Sequence, residues 1–414
     1  MRSMRHTLWA ICVVAVSGGF LPDASAGTTR VPMGPWRGVL QVPGGELPFN
    51  FVLSHSDSIY SAFLINGEER VAIEEVRVGE NHLTLFLTAF NSHITAVLDG
   101  EMLRGSLRLT KRAGRFQMIP MRAWPDSEWR FFSEEQLVEV DVSGRWDVTF
   151  RDSDGNEISA VGEFRQESDR LFGTFLTPTG DYRYLEGDVR RRNIYLSCFD
   201  GAHAFLFKGR VLLDGTLEGD FWSGTAWHET FVAKLDDEAA LPDPMRLTFL
   251  REGYERIEFS FPNEYGTEVS LSDETFENKV VVVSLAGTWC PNCHDEAAFL
   301  SEYYDEMDSD HLEIVTLMYE HMQEFNEAAI QVKRFRERYQ IGYQTLIAGV
   351  SDKRAAAESL PMLNHVLAFP TTIIIDKQGK VRRIYTGFNG PGTGEYFEEF
   401  KREFDSVIRA LLYE

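Results

Sequence analysis

The sequence predicts a chain of several domains: an N-terminal antiparallel all-β region, a tandem repeat of sandwich or barrel type, precedes a C-terminal α/β domain. Three observations predict this architecture. The length of 414 residues exceeds what one hydrophobic core usually serves. Short β-type runs separated by turn residues occupy residues 36–236 without a long helical period. From residue 259 onward, strand-like and helix-like segments alternate.

The composition is that of packed domains in an acidic protein. Hydrophobic residues make up 43% and aromatic residues 13% of the chain, which argues against disorder. The formal net charge is −23. Nucleic acid and anionic membrane surfaces are therefore excluded as partners, because phosphate binding requires clustered Lys and Arg.

The first residues predict export. Arg2 and Arg5 precede a short apolar run at residues 8–16, and the small residues Ala24-Ser25-Ala26 follow. This pattern is typical of a secretory signal peptide, here cleaved before Gly27. No later run approaches membrane-spanning length. We therefore expect a periplasmic or otherwise exported protein that is soluble after signal cleavage, with no membrane insertion of the mature chain.

The two halves of the β region resemble each other in sequence. The matching segments are residues 36–40 with 146–150, 60–64 with 172–176, and 98–100 with 213–215. The offset between partners grows slightly along the chain, as loop insertions would cause, so a tandem repeat is predicted. Neither repeat shows a catalytic cluster, and the region is interpreted as a docking or oligomerisation module.

The predicted divisions are a signal peptide at 1–26, repeats at 27–127 and 128–238, a Pro- and acid-rich linker at 239–258, and the α/β domain at 259–414.

The α/β domain is predicted in the order β–α–β–α–β–β–α. Residues 280–285 form a continuous apolar, β-branched run, which is typical of a strand buried on both faces of a parallel sheet. A helix should begin at Pro291. Next come a strand at 312–318, a helix reaching 339, and a strand at 371–375 with its hairpin partner at 381–385. The last helix is predicted at 395–412, where apolar residues recur every three or four positions.

The cysteines indicate one redox pair. Cys12 leaves with the signal peptide, and Cys198, Cys290 and Cys293 remain. Three thiols in an exported protein do not make a structural disulfide framework. Cys198 lies in a strand-like run and is interpreted as a small buried hydrophobe.

The motif Trp289-Cys290-Pro291-Asn292-Cys293 lies where the buried strand meets the next helix. A helix N-terminus offers free N–H groups and the positive end of the helix dipole, which stabilise a thiolate. The three-residue step lets the two sulfurs meet across one helical turn. We therefore interpret Cys290 as the attacking nucleophile and Cys293 as the resolving thiol of a redox disulfide.

Three other interpretations of the motif exist. A zinc site would need a second ligand pair, which the chain does not offer, so no metal is expected. The adjacent His294 completes a Cys-x-x-Cys-His pattern, the signature of covalent haem attachment, but the strand–helix context disfavours it. We expect His294 to be a solvated helix residue and the protein to need no cofactor. A structural disulfide is the third interpretation.

A second element is Phe369-Pro370-Thr371, where the proline at the start of a strand is a candidate cis peptide. Together these segments resemble the TlpA-type disulfide reductases, a thioredoxin-fold branch exported to the periplasm. The resemblance covers roughly residues 259–414 and not 27–258. It rests on Phe276-Glu277-Asn278-Lys279-Val280, Trp289-Cys290-Pro291-Asn292-Cys293, Phe369-Pro370-Thr371-Thr372, Ile375-Asp376-Lys377-Gln378-Gly379-Lys380-Val381 and Thr386-Gly387-Phe388-Asn389-Gly390-Pro391.

The resemblance implies roles for individual residues. Pro370 is expected to be cis beside the cysteine pair, with the adjacent backbone pairing with an extended substrate segment. Glu296 stands where this family places a glutamate that assists proton transfer to the buried thiol, although an ordinary first-turn acidic residue is the alternative. The buried aspartate of thioredoxins is replaced by Ser284. The residues expected to contact substrate are Trp289, Pro291, Asn292, Phe369 and Pro370.

The sequence thus predicts an exported thiol-disulfide oxidoreductase that reduces protein disulfides through Cys290 and Cys293. Its expected partners are protein disulfide substrates and a membrane thiol electron donor, because the periplasm is kept oxidising. Two alternatives stay open. The same cysteines could serve a disulfide oxidase or isomerase, or the β region could carry the function as a binding protein.

Overall fold

The computed structural model describes residues 31–307 and 309–414, so the predicted signal peptide lies outside the described residues. Three large sheets organise the chain: two antiparallel sheets of nine strands each and a mixed sheet of five strands. Within the described ranges, no helix is long and apolar enough to cross a membrane.

The first antiparallel sheet pairs its strands in the order β4-β3-β2-β1-β9-β8-β7-β6-β5. Alternate side chains of its strands point inward, and the core includes Trp36, Leu40, Phe49 and Phe51. The strands are β1 (Gly34–Val42), β2 (Gly45–Ser56), β3 (Ile59–Asn66), β4 (Glu69–Ile73), β5 (Glu75–Val78), β6 (His82–Leu87), β7 (Ser92–Asp99), β8 (Met102–Thr110) and β9 (Phe116–Pro125).

The second sheet pairs its strands in the order β11-β10-β18-β17-β16-β15-β14-β12-β13. An additional pairing of β11 with β12 closes this sheet into a barrel around a core rich in phenylalanine. The strands are β10 (Gly144–Asp152), β11 (Glu157–Glu167), β12 (Arg170–Thr177), β13 (Gly180–Asp181), β14 (Leu185–Arg190), β15 (Asn193–Phe199), β16 (Ala204–Val211), β17 (Leu217–Ser223) and β18 (Trp227–Leu235).

The two sheets share the pairing of their first strand, which agrees with the predicted tandem repeat. In each, the first strand pairs with the second and with the last. Local details recur as well. The indole N–H of Trp36 donates to the Pro32 carbonyl (3.1 Å), and that of Trp146 donates to the Val142 carbonyl (3.0 Å). The predicted boundary between the two repeats, as separate folding units, stays a prediction.

A buried arginine joins the two repeats. Arg130, in the segment between β9 and β10, is fully buried. Its Nη1 donates to Asn50 Oδ1 (3.0 Å) in the first repeat, and its Nη2 lies 3.3 Å from a carboxylate oxygen of Glu186 in the second. Because a buried charge requires such partners, this contact packs the repeats against each other.

The C-terminal region has the thioredoxin fold, with the sheet order β23-β22-β21-β24-β25 preceded by a small hairpin. Strands β21, β22 and β23 run parallel, whereas β24 and β25 are antiparallel to their neighbours. The elements are β19 (Ser260–Pro262), β20 (Glu268–Ser270), β21 (Val280–Ala286), α1 (Pro291–Met307), β22 (Leu312–Glu320), α2 (Phe325–Tyr339), β23 (Gln344–Val350), α3 (Lys353–Ser359), β24 (Thr371–Ile375), β25 (Val381–Thr386) and α4 (Glu395–Tyr413).

The predicted fold class is confirmed, but the predicted element order is incomplete. It omits strand β23 and helix α3. Strand β23 has a short apolar stretch that ends at Gly349, and it lies at the edge of the sheet beside β22 alone. Helix α3 has only seven residues and a single buried alanine, Ala356, so no amphipathic period marks it. Cys198 is buried in β15, as predicted, and burial raises its pKa well above the usual range.

Candidate active site

The two motif cysteines occupy the junction between β21 and α1. Both are free thiols, with 6% of Cys290 and 1% of Cys293 exposed. The Cys290 thiol donates to the Phe369 carbonyl oxygen (3.3 Å), and the Cys293 amide N–H donates to the Cys290 sulfur (3.3 Å). The Cys290 sulfur therefore accepts a main-chain N–H at the N-terminus of α1.

The second thiol is held in its protonated form. Burial raises the pKa of Cys293 well above its usual range, and the hydrogen bond with Cys290 and the nearby Glu296 carboxylate raise it further. A thiol with a raised pKa reacts only after a base has removed its proton. The two cysteines therefore differ in their burial and in their hydrogen bonds.

Glu296 is buried near Cys293 rather than exposed on a solvated helix face. The carboxylate accepts hydrogen bonds from the hydroxyls of Ser284 (2.5 Å) and Thr372. Burial raises the pKa of Glu296 to about 7, although these two hydrogen bonds act in the opposite direction. Ser284, which stands where thioredoxins carry a buried aspartate, thus fixes the Glu296 carboxylate by a hydrogen bond.

The segment before β24 lies against the motif. The Phe369–Pro370 peptide bond is cis, as the resemblance implies. The Phe369 ring packs edge-on against Trp289 at 5.8 Å between centroids, and the Trp289 indole N–H donates to the Tyr319 carbonyl (2.8 Å). The other face of Trp289 stacks with His321 at 4.7 Å. Trp289, Phe369 and Pro370 therefore form one border around Cys290.

A second buried carboxyl supports the motif, and sequence reasoning missed it. Glu320, at the end of β22, is fully buried and accepts hydrogen bonds from the Thr288 amide (2.9 Å) and the Thr288 hydroxyl (2.6 Å). Burial raises the pKa of Glu320 to about 7. The position of Glu320 at the end of a strand could have indicated this contact, because the carboxyl ends of neighbouring parallel strands meet at the same edge of a sheet.

The expectation that His294 is a solvated helix residue is wrong. Its Nε2 lies 2.7 Å from the Thr288 carbonyl oxygen, its Nδ1 lies 2.7 Å from the Tyr339 hydroxyl, and its ring packs on Phe90 of the first β repeat (4.7 Å). Burial lowers the pKa of His294 to about 3, so the ring is neutral at physiological pH. The sequence could not indicate this, because Phe90 belongs to a distant segment.

The second β repeat also reaches the cysteine motif. The Asn292 side-chain amide, between the two cysteines, donates to the Phe388 carbonyl (3.0 Å) and to the Asp181 carbonyl (3.4 Å). The Asp181 carboxylate in turn accepts from the Gly390 amide (2.7 Å). Asp181 therefore binds the motif and the loop after β25 at once.

Arg183 links all three units of the chain at the start of helix α1. It is buried, it pairs with Glu69 of the first repeat (2.5 Å) and with Asp295 of α1, and its Nη1 lies 3.4 Å from the Pro291 carbonyl oxygen. The interpretation of the β region as a docking or oligomerisation module therefore leaves out its contact with the cysteine motif. Nothing in the turn-like run around Arg183 distinguishes it in the sequence.

Further contacts of the first repeat surround the same face of the thioredoxin fold. The Ala113 amide donates to the His321 carbonyl (3.0 Å), Arg112 pairs with Asp352, and Glu74 pairs with Arg338. The face that carries the cysteines is thus bordered by both β repeats.

The region that contains this site is similar to known proteins. Residues 253–384 match the AhpC/TSA family. Thiol-disulfide oxidoreductase ResA of Bacillus thuringiensis subsp. konkukian (strain 97-27) is 29% identical over 151 residues, which are 36% of this chain and 77% of that protein. ResA of Bacillus subtilis (strain 168) is 26% identical over 138 residues, 33% of this chain and 69% of the relative.

Among solved structures, the crystal structure of a thiol:disulfide interchange protein, a thioredoxin family protein from Chlorobium tepidum TLS, aligns with 39% of this chain and 98% of that chain, at 21% identity and a TM-score of 0.30. The family match leaves the β repeats uncovered. Residues 253–384 thus match the model of the thioredoxin-like AhpC/TSA family, and this part of the chain is a thiol-disulfide oxidoreductase.

Proposed function

We propose that this chain is an exported oxidoreductase that reduces protein disulfides through a Cys290–Cys293 dithiol cycle. The observation that carries the proposal is the asymmetry of the two thiols. The Cys290 sulfur accepts the Cys293 N–H at a helix N-terminus, whereas Cys293 is buried above the Glu296 carboxyl.

The proposed cycle begins with attack of the Cys290 thiolate on one sulfur of a substrate disulfide. A mixed disulfide forms, the substrate disulfide breaks, and the other substrate sulfur leaves as a thiolate that takes a proton. Cys293 then gives its proton to the Glu296 carboxylate and attacks the Cys290 sulfur. This second exchange releases the second substrate thiol, so two electrons have passed to the substrate and a Cys290–Cys293 disulfide remains.

Substrate is proposed to approach from the side of Trp289, Phe369 and Pro370. The backbone beside Pro370 would pair with an extended substrate segment. Pro291 and Asn292 face the second β repeat, where Arg183 and Asp181 contact them. We therefore propose that the β repeats supply the opposite border of the substrate site and restrict which proteins reach Cys290.

The direction of electron flow and the compartment are part of the proposal. The N-terminal signal pattern supports export, and an exported reductase requires a donor, proposed to be a membrane thiol protein that re-reduces the pair. The reduction potential of the pair tests this direction. We expect a value nearer the about −270 mV of thioredoxin than the about −120 mV of a strong disulfide oxidant, and the latter result would contradict a reductase.

The assigned cysteine roles are tested by trapping. Cys293→Ser should accumulate mixed disulfides with client proteins, because no thiol resolves them, whereas Cys290→Ser should accumulate none. Cys198→Ser is the matched control, since that thiol is buried in β15, and its adducts should equal those of the unmodified chain. Equal trapping by the two motif variants would show that the roles are assigned wrongly.

A further inference from the structure

A cleft of about 1060 Å³ lies in the first β repeat, remote in sequence from the cysteine motif. Strands β1, β2 and β9 form its floor, and the segment that connects the two repeats forms a wall. Its charged and aromatic lining includes Arg37, Glu46, Arg122, Trp124, Trp129 and Phe131. A volume of this order is typical of small-ligand sites, which are about 300–1,000 Å³.

The strand register directs these side chains to the outer face of the sheet. Arg37 of β1 is opposite Trp124 of β9, and Val39 is opposite Arg122. Since directly opposed residues of an antiparallel pair project to the same face, these four side chains leave the sheet together, away from the core that contains Trp36.

Arg37 is a buried donor at this face. Only 6% of the residue is exposed, its Nε donates to the Arg130 carbonyl (3.0 Å), and its guanidinium lies 3.6 Å from the Trp129 ring centroid. Its two terminal nitrogens form no hydrogen bond with any residue that the structure describes. Burial lowers the pKa of Arg37 to about 10, so it keeps its charge at neutral pH. A fixed fork of donors is therefore available to a ligand.

The charges of the cleft nearly cancel. Arg122 pairs with Glu46 (2.6 Å), and Glu101 and Asp126 add two further carboxylates to the lining. Two arginines therefore face three carboxylates. Such a lining suits neither a polyphosphate nor a strongly cationic ligand, because each would meet like charges.

The floor of the cleft also offers no free backbone edge. Strand β1 pairs with β2 and β9, and β2 and β9 each have a second neighbour in the sheet. An extended peptide cannot add itself as a further strand there. Recognition must therefore rely on side chains, namely flat aromatic surfaces and planar groups that form two hydrogen bonds at once.

We propose that this cleft binds an uncharged oligosaccharide. The apolar faces of sugar rings pack on tryptophan, while guanidinium and carboxylate groups bond pairs of neighbouring hydroxyls. Trp124 and Trp129 supply the first kind of surface, and Arg37, Arg122 and Glu46 supply the second. This activity is separate from thiol exchange and would hold the enzyme at a glycan.

The test is calorimetric titration of the full chain with three probes, N-acetylchitotriose, cellotriose and maltotriose, at millimolar concentration. We expect at least one trisaccharide to bind. Trp124→Ala should weaken that binding at least tenfold, and Arg37→Lys should weaken it by removing the fork. Trp227→Ala is the matched control, because that tryptophan is 51% exposed in the second repeat, and it should leave binding unchanged.

Thermal unfolding and thiol-exchange activity establish that each variant is folded. Failure of all three sugars to bind the unmodified chain would overturn the proposal. Binding that persists unchanged in folded Trp124→Ala would overturn it as well.

Discussion

At the scale of single residues, the proposed cycle depends on a proton that has to move between two buried groups, Cys293 and Glu296. Cys293 has a raised pKa and Glu296 has a pKa of about 7, so near neutral pH the carboxyl is ionised in part of the molecules and ready to accept. Ser284 fixes one carboxylate oxygen at 2.5 Å. Glu296 thus lies one helical turn after Cys293, and Ser284, one of the two residues that donate hydrogen bonds to its carboxylate, lies on the central strand β21.

We predict that Glu296→Gln slows resolution of the mixed disulfide without preventing its formation. In the unmodified chain the resolution rate should rise as pH increases through about 7, because Glu296 must be ionised to take the Cys293 proton. A glutamine cannot accept that proton, so we expect a loss of about 10²–10⁴-fold at pH 7. Stopped-flow measurement of each exchange step tests this, and an unchanged pH profile would contradict it.

The same variant should change how stability depends on pH. The folded-state pKa of Glu296 is raised, so its contribution to stability is fully present below the unfolded value of about 4.5 and is lost as pH rises through about 7. Glu296→Gln should remove a part of this decline, on the order of 1–3 kcal/mol in the free energy of unfolding. Glu320 has the same direction of shift, so a smaller decline should remain. Urea titrations at pH 5 and pH 8 measure the difference.

The sequence predicts which residues lie at the motif, but it does not predict which distant residues contact them. The strand–helix junction predicts the place of Cys290, Cys293 and Glu296, because that junction is local in sequence. His294 and Asp181 behave differently. One is buried by Phe90 and the other binds the motif from a distant turn, and such contacts depend on how separate domains dock.

At the scale of elements, the short segment that carries strand β13 determines the contact with the cysteine motif. Gly180 has a φ of +129°, and a Cβ there would lie 2.5 Å from the Asn292 side-chain nitrogen. The close approach therefore needs a glycine both for its backbone conformation and for lack of space. This segment was predictable only as a turn, since β13 has two residues.

We predict that Gly180→Ala separates this segment from Asn292 and exposes the motif. The alkylation rate of Cys290 should increase, and the free energy of unfolding should fall by about 1–3 kcal/mol. Gly215→Ala is the matched control, because its φ is +87° but a Cβ there meets no atom within 4 Å. The control should be destabilised by backbone strain without faster alkylation. Equal alkylation rates in the two variants would contradict the assigned contact.

At the scale of the whole molecule, three separately predicted units meet at one point. The tandem β repeat and the thioredoxin fold were predictable because strand spacing, turn residues and buried runs are local patterns. Their mutual arrangement was not, because the ion pairs of Arg183 with Glu69 and Asp295 join residues that no local pattern connects. The position of the catalytic helix therefore depends on both repeats.

We predict that Arg183→Met uncouples the units. Removing one member of a buried ion-pair cluster leaves Glu69 and Asp295 without their cation, and such losses cost about 3–5 kcal/mol. Guanidinium unfolding should then show two separate transitions. The reactivity of Cys290 reports the unfolding of the thioredoxin fold, and tryptophan fluorescence reports mainly the β repeats, which contain every described tryptophan except Trp289. Arg151→Met is the matched control, because Arg151 forms an exposed pair with Glu157 and should shift the transition by less than about 1 kcal/mol. If the two transitions of Arg183→Met coincide and their midpoint is unchanged, the Arg183 ion pairs do not hold the domains together.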